Sequence, residues 1–238
     1  MQMTHADFTR STAIRASLKR GLARQALSVA DRESADLPAL FDLAAGLRPN
    51  PKGLDRMATR LGTQRGVTRV ALTACRKSLS FTARAIRQVE ARVQGETAFL
   101  EAGLIYLRAR ANLVRGRFGY RISAVSFCAH ALERLVERSR VCLDAPLLHV
   151  IDAEVQTIFR AWDNGARILQ DDDEFYPGST AGVWAGSHDG MSLEPDWGLS
   201  TDLLQTIPIF SVRTFLSPTE MRPTVYLRWK DDPACRLL

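Results

Sequence analysis

Clustered cysteine, long apolar runs and, over one long stretch, acid are all missing from this chain, and each absence narrows what it can be. Cys75, Cys128, Cys142 and Cys235 make no C-x-x-C pair and no histidine stands at zinc-ligand spacing, so neither a disulfide framework nor a structural zinc site is indicated. Reduced, separately buried thiols are expected. No apolar run approaches the roughly 18 to 20 residues that span a bilayer, and the N-terminus lacks the continuous apolar stretch of a secretory signal. The expectation is a cytoplasmic protein without membrane contact. Residues 10–30 are Arg-rich and free of acid, as a transit peptide is, but Ile14, Leu18 and Leu22 recur every fourth position and favour a basic amphipathic helix docked on a core. Lysine is scarce as well: of 32 basic residues only Lys19, Lys52, Lys77 and Lys230 are lysines. The basic face of the protein is therefore one of guanidiniums, whose planar fork pairs bidentately with phosphate.

What is present is an ordinary globular composition with uneven charge. At 238 residues and 46% hydrophobic the chain can bury a core without crosslinks. Residues 1–117 hold 21 Lys and Arg against 9 Asp and Glu, a charge of +12, whereas 118–238 hold 11 against 17, a charge of −6. Such asymmetry points to a polyanion partner for the basic half.

Local signals suggest an α+β protein with two domains. Over 1–117 they suggest a basic helical domain. Pro49, Pro51 and Gly53 mark a turn at 47–53. From 65 to 93 there is no proline and no glycine after Gly66, and Val67, Val70, Ala71, Ala74, Cys75, Ala85, Ile86, Val89 and Val93 fall within an arc of about 160° on a helical wheel. Arg65, Arg69, Arg76 and Arg87 fall within about 40° on the other side, flanked by Lys77 and Arg84. The spacing predicts one long helix with a straight basic ridge, and a second helix over 97–114 completing a helical hairpin. Over 118–238 the expectation is an acidic domain with two helices and a small antiparallel sheet. The helices are expected from Ser126 to about Arg138 and from Asp144-Ala145-Pro146 to Asp163-Asn164-Gly165, and the strands at 181–186, 206–216 and 222–229.

The ridge is the strongest candidate for function. No Asp or Glu occurs between Asp55 and Glu90, so Arg65, Arg69, Arg76, Lys77, Arg84 and Arg87 would follow a phosphate backbone unopposed. A helix-turn-helix over 55–72 would bring Gln64, Arg65, Thr68 and Arg69 to base edges, although the turn is a residue short of the usual spacing. Asp171, Asp172, Asp173 and Glu174 lack the spacing of a calcium loop and read as a solvated turn. Ser187, His188 and Asp189 are adjacent in sequence rather than convergent, which does not make a triad. Trp162, Trp184, Trp197 and Trp229 read as core or sheet-packing residues. No motif calls for a metal or any other cofactor.

In 126–139, SFCAHALERLVERS, His130, Arg134 and Arg138 stand at i, i+4 and i+8 on one helical face. The pattern over about ten residues, His130 to Ser139, resembles the opening helix of the RelE-like small ribonuclease-toxin domains. The resemblance implies an RNA-directed sheet with His130, Arg134, Arg213, Tyr226 and Arg228 near phosphate. Three expectations follow. The first is an accessory or regulatory protein that binds DNA or RNA through its arginines. The second is a small metal-independent ribonuclease in the second half. The third is a protein-protein interaction module, with a protein partner or a second copy docking on the C-terminal domain.

Overall fold

The computed structural model describes residues 5–46, 48–93, 96–139, 146–179, 181–192 and 206–231, without the side chains of 5–15, 45, 88–93 and 96–101. The elements are α1 (His5–Arg32), α2 (Leu37–Ala45), α3 (Pro51–Leu61), β1 (Val67–Leu72), β2 (Ser78–Val93), β3 (Glu96–Val114), β4 (Arg117–Phe127), α4 (Ala129–Arg138), α5 (Leu147–Asp163), β5 (Ile168–Gln170), β6 (Asp173–Pro177), β7 (Val183–Ser192), β8 (Thr206–Leu216) and α6 (Pro223–Asp231). The eight strands form one mixed sheet in the order β1-β2-β3-β4-β8-β7-β6-β5. This overturns the expected helical domain followed by a small-sheet domain, because the long basic helix and its partner over 97–114 are strands.

The reason lies in a second periodicity of the same residues. From Ser78 to Ala85 polar and apolar side chains alternate, and Leu107 to Leu113 repeat the alternation with arginine and alanine. Period two sorts a strand into two faces. Leu79, Phe81, Ala83 and Ala85 are buried, as are Ile105, Leu107, Ala109 and Ala111. The two strands pair antiparallel with Ser80 opposite Arg110 and Thr82 opposite Arg108. The two segments do pair antiparallel, but as strands, so the expected helical hairpin is overturned. The helix-turn-helix is absent for the same reason, since the chain leaves α3 at Gly62 and enters β1 five residues later.

The chain divides into two compact units that draw on both sides of residue 117. One comprises 30–126 and 188–211, the other 1–29, 127–187 and 212–238. In the first, α2 and α3 cover one sheet face: Leu40, Phe41, Leu54, Met57 and Leu61 pack against the buried rows of β2, β3 and β4. Both helices start at side-chain caps followed by proline. Asp36 accepts from the Ala39 amide, and Asn50 accepts from the Gly53 amide at 2.8 Å. Gly53 is required there, because a Cβ would lie 1.9 Å from the Arg48 carbonyl oxygen. Gly66, at φ +75°, lets β1 start against Ala35, whose backbone nitrogen would lie 2.3 Å from an added Cβ.

In the second unit helices stand near the expected α4 and α5, but Ser126 lies in β4 and caps no helix; β8 coincides with the expected strand at 206–216, while β7 only overlaps 181–186 and runs on to Ser192. The stretch 222–229 is instead helix α6. Pro223 fits the first turn of a helix, and Val225 and Trp229, four apart, pack beside Phe175 and Val183. Trp184 is fully buried, edge-on to Phe127 and Phe215, and Trp162 stacks between Phe159 and Tyr176. Trp197 lies outside the described residues.

One buried carboxylate organises this unit. Glu154 on α5 has no exposed surface and accepts from the Ser179 amide at 2.9 Å, the Ser179 hydroxyl at 2.5 Å and the Trp184 indole at 2.8 Å. It ties the loop between β6 and β7 to the helix. Replacing Glu154 by Ala strands the buried Trp184 indole N–H and frees the loop at the exposed Ser179, which costs about 1 to 3 kcal/mol. Urea unfolding followed by circular dichroism is expected to show that loss, and a Glu154→Ala midpoint equal to wild type would show that the carboxylate is dispensable.

Candidate nucleic-acid interface

The six expected ridge residues do not share a helix face. Arg65 lies in the turn before β1 and donates to the Ser34 carbonyl at 3.2 Å. Arg76, in the turn between β1 and β2 with φ +51°, pairs with Asp55 at 3.3 Å, and Lys77 is exposed beside it. Arg84 on β2 is only 5% exposed and pairs with Glu33 at 2.7 Å. Arg87 is half-buried and lines a cavity of about 330 Å³ with Ser126, Asp189 and Ser211. Arg69 alone of the six sits exposed on a strand face. Of the five guanidiniums among the six, those of Arg76 and Arg84 are thus held by the protein's own carboxylates, and Arg87 is also engaged within the protein.

The strands create a different cationic surface. On the side of the sheet away from α2 and α3, Arg69 pairs across with Thr82, and Thr82 with Arg108; Ala71 pairs with Ser80, and Ser80 with Arg110; Ser78 pairs with Asn112. Neighbouring strands are about 4.8 Å apart and same-face residues about 7 Å, so Arg69 and Arg108 stand about 10 Å apart. In β4, Ile122 and Ala124 belong to the core, so alternation places Arg117, Gly119 and Arg121 on this same side. The two-residue turn Arg115-Gly116, with φ of 48° and 73°, is the left-handed pair that a tight hairpin needs.

Arg69, Arg117 and Arg121 are exposed, while Arg108 and Arg110 are half-buried and engaged within the protein. No carboxylate occupies these rows, 69–71, 78–82, 108–112 and 117–121. Their other members on this side are alanine, glycine, serine, threonine and Asn112, and no aromatic ring lies on this side in them. Tyr120 and Phe118 belong to the core side, where the Tyr120 hydroxyl donates to the Ala44 carbonyl and Phe118 packs on the hydrophobic core. Burial pushes the Tyr120 phenol up, which keeps it protonated.

The residues singled out in the second unit are largely committed to one another. His130 is exposed, and its Nε2 accepts from Arg134 Nε at 3.3 Å. Arg134 also pairs with Glu137, and Arg138 pairs with Glu220 at 2.7 Å while donating to the Phe215 carbonyl. Arg213 pairs with Asp173 at 3.2 Å, Arg222 with Asp171 at 2.5 Å and Arg167 with Glu174 at 3.3 Å. The acidic turn is therefore a set of partners for arginine. Among the described residues no group of three or more His, Cys, Asp or Glu is placed to hold a metal. Tyr226 packs on Trp229, and Arg228 donates to the Leu169 carbonyl, both on α6 rather than on a strand. Within the Ser187-His188-Asp189 run, the half-buried His188 lies against the Phe210 ring at 5.2 Å.

The thiols also differ from expectation. Cys75 is exposed, and its contact with the Thr73 hydroxyl, with a further contribution from the Lys77 backbone, lowers its pKa; Cys128 is half-buried. Cys142 and Cys235 lie outside the described residues.

Sequence reasoning missed Arg108, Arg110, Arg117 and Arg121. The signal was available in the Arg-Ala-Arg-Ala alternation at 108–111 and in the Arg-Gly turn that follows. No family model, curated protein or solved structure matches the chain. No described helix is long and apolar enough to cross a membrane.

Glu137 gives a pH test of the α1 to α4 contact, in which Lys19 approaches it at 3.0 Å. Burial raises this carboxyl, but hydrogen bonds from Lys19 and Arg134 outweigh burial and leave its pKa below the ordinary 4.5. A depressed folded pKa means that the stabilisation is full above the unfolded value and is lost as pH falls through the folded one. At neutral pH, Glu137→Gln is expected to cost no more than about 1 kcal/mol, since the group is exposed. Thermal melts should show that difference at pH 7 and a shrinking one as pH falls through the depressed folded pKa, where Glu137 protonates; a difference independent of pH would remove the ion pair from the explanation.

Proposed function

We propose that the unit formed by 30–126 and 188–211 binds the phosphate backbone of nucleic acid on the arginine-bearing side of β1 to β4. The observation that carries this reading is the contrast between two sets of arginines. Arg134, Arg138, Arg167, Arg213 and Arg222 are each matched by a carboxylate, whereas Arg69, Arg117 and Arg121 stand exposed on rows without acid. Exposed cations in a fixed array attract a polyanion and release its counterions, a driving force that falls with salt. The half-buried Ser78, Ser80 and Asn112 in these rows are uncharged donors for phosphate oxygens. Base recognition has no support in these rows, because a sequence-tolerant stacking platform requires exposed aromatic rings. The reading is therefore one of backbone binding with little sequence preference, as an accessory protein would use.

Fluorescence anisotropy with labelled single-stranded RNA and duplex DNA over a salt series tests it. Engagement of Arg69, Arg117 and Arg121 corresponds to a slope of log K against log salt of about −2 to −3. Arg69→Glu with Arg121→Glu is expected to weaken binding at least tenfold, on all sequences alike. Salt-independent affinity, or charge reversal without effect, would refute the proposal.

A further inference from the structure

A second cationic site lies on α3, within the same unit but away from the sheet rows. Lys52, Arg56 and Arg60 recur at i, i+4 and i+8, opposite the side on which Leu54, Met57 and Leu61 are buried. Arg48, from the turn preceding α3, joins them around a cavity of about 350 Å³ that is completed by Gly46, Asn50 and Gly53. All four cations are exposed, and among the described residues no carboxylate lines the cavity. The nearest acid on the helix, Asp55, is directed to Arg76 at 3.3 Å.

Like charges four residues apart on a helix repel and destabilise it. Concentrating four of them on a concavity raises the local positive potential further, because low-dielectric walls focus the field. Such an arrangement is unfavourable until an anion occupies it. The helix end adds little of its own, since Asn50 already accepts from the Gly53 amide at 2.8 Å. The charge set, rather than the helix dipole, defines the ligand.

We infer that this cavity binds a small, multiply charged oligophosphate, of the size and charge of inorganic triphosphate. The volume falls in the range of small-ligand pockets. From Lys52 to Arg60 the helix rises about 12 Å, so the side chains converge on a compact target instead of running along an extended backbone. Arginine supplies the forked donors and lysine a point charge, the two ways in which proteins hold phosphate oxygens.

Isothermal titration calorimetry of the whole chain at fixed ionic strength decides the matter, with inorganic triphosphate, inorganic phosphate and a short oligonucleotide as separate titrants. Triphosphate is expected to bind saturably at one site, and at least tenfold more tightly than inorganic phosphate. Arg56→Gln with Arg60→Gln, both exposed positions whose folding is checked by circular dichroism, should weaken triphosphate at least tenfold. Arg69→Gln with Arg121→Gln should leave triphosphate binding unchanged, so failure here is distinguishable from failure of the sheet as a nucleic-acid surface. Absence of saturable triphosphate binding, equal affinity for inorganic phosphate, loss in the sheet variant, or competition by the oligonucleotide for the same four residues at equal or higher affinity would each overturn the inference.

Discussion

Two-residue alternation along β2 and β3 is the constraint on which the rest of this structure depends. It places Leu79, Phe81, Leu107 and Ala109 beneath α2 and α3, and it turns Ser80, Thr82, Arg108 and Arg110 to the other side. A slip of one residue would exchange the faces and bring guanidiniums beneath the helices. Burying a charge without a partner costs far more than any single apolar contact returns. The pattern therefore fixes register and creates the cationic surface in the same act. Arg84 shows the cost being met: where the polar row is buried, its guanidinium is paired with Glu33.

Fold and site were legible to different degrees for identifiable reasons. α5 was readable because its boundaries carry strong punctuation, Pro146 before it and Asn164-Gly165 after it, whereas the Ser126 cap expected for α4 lies in β4. The segment from 65 to 93 misled because alanine and arginine are good helix formers and nine apolar residues happen to fit a helical arc. Alternation in the same residues carried the correct answer, but alanine marks an apolar row only weakly. At 222–229, tyrosine, valine and tryptophan suggested a strand, whereas Pro223 at a helix start outweighed them. Charge was legible in part, since the basic first half supplies Arg69 and Arg117, while Arg121 lies just beyond it. Their direction was not legible, because it follows from strand pairing rather than from composition.

The two units differ in how far carboxylates hold their arginines, although in the sheet unit too Arg76 and Arg84 are paired, with Asp55 and Glu33. In the unit holding α4 to α6, guanidiniums meet Glu137, Asp171, Asp173, Glu174 and Glu220, and each exposed pair stabilises by no more than about 1 kcal/mol while consuming charge. In the unit holding β1 to β4, Arg69, Arg117 and Arg121 on the sheet, and Arg48, Lys52, Arg56 and Arg60 at α3, stand without carboxylates in their rows or cavity. The first arrangement serves cohesion. The second leaves cations exposed without an adjacent carboxylate, and the proposed phosphate binding rests on that arrangement.

Arginine side-chain resonances test the central claim most directly. On titration with a short oligonucleotide, the Nε–H signals of Arg69, Arg117 and Arg121 are expected to shift together while the methyl signals of Leu79, Leu107 and Ile122, on the opposite face, stay in place. Shifts confined to Arg134, Arg138 or Arg213, with the sheet arginines silent, would contradict it.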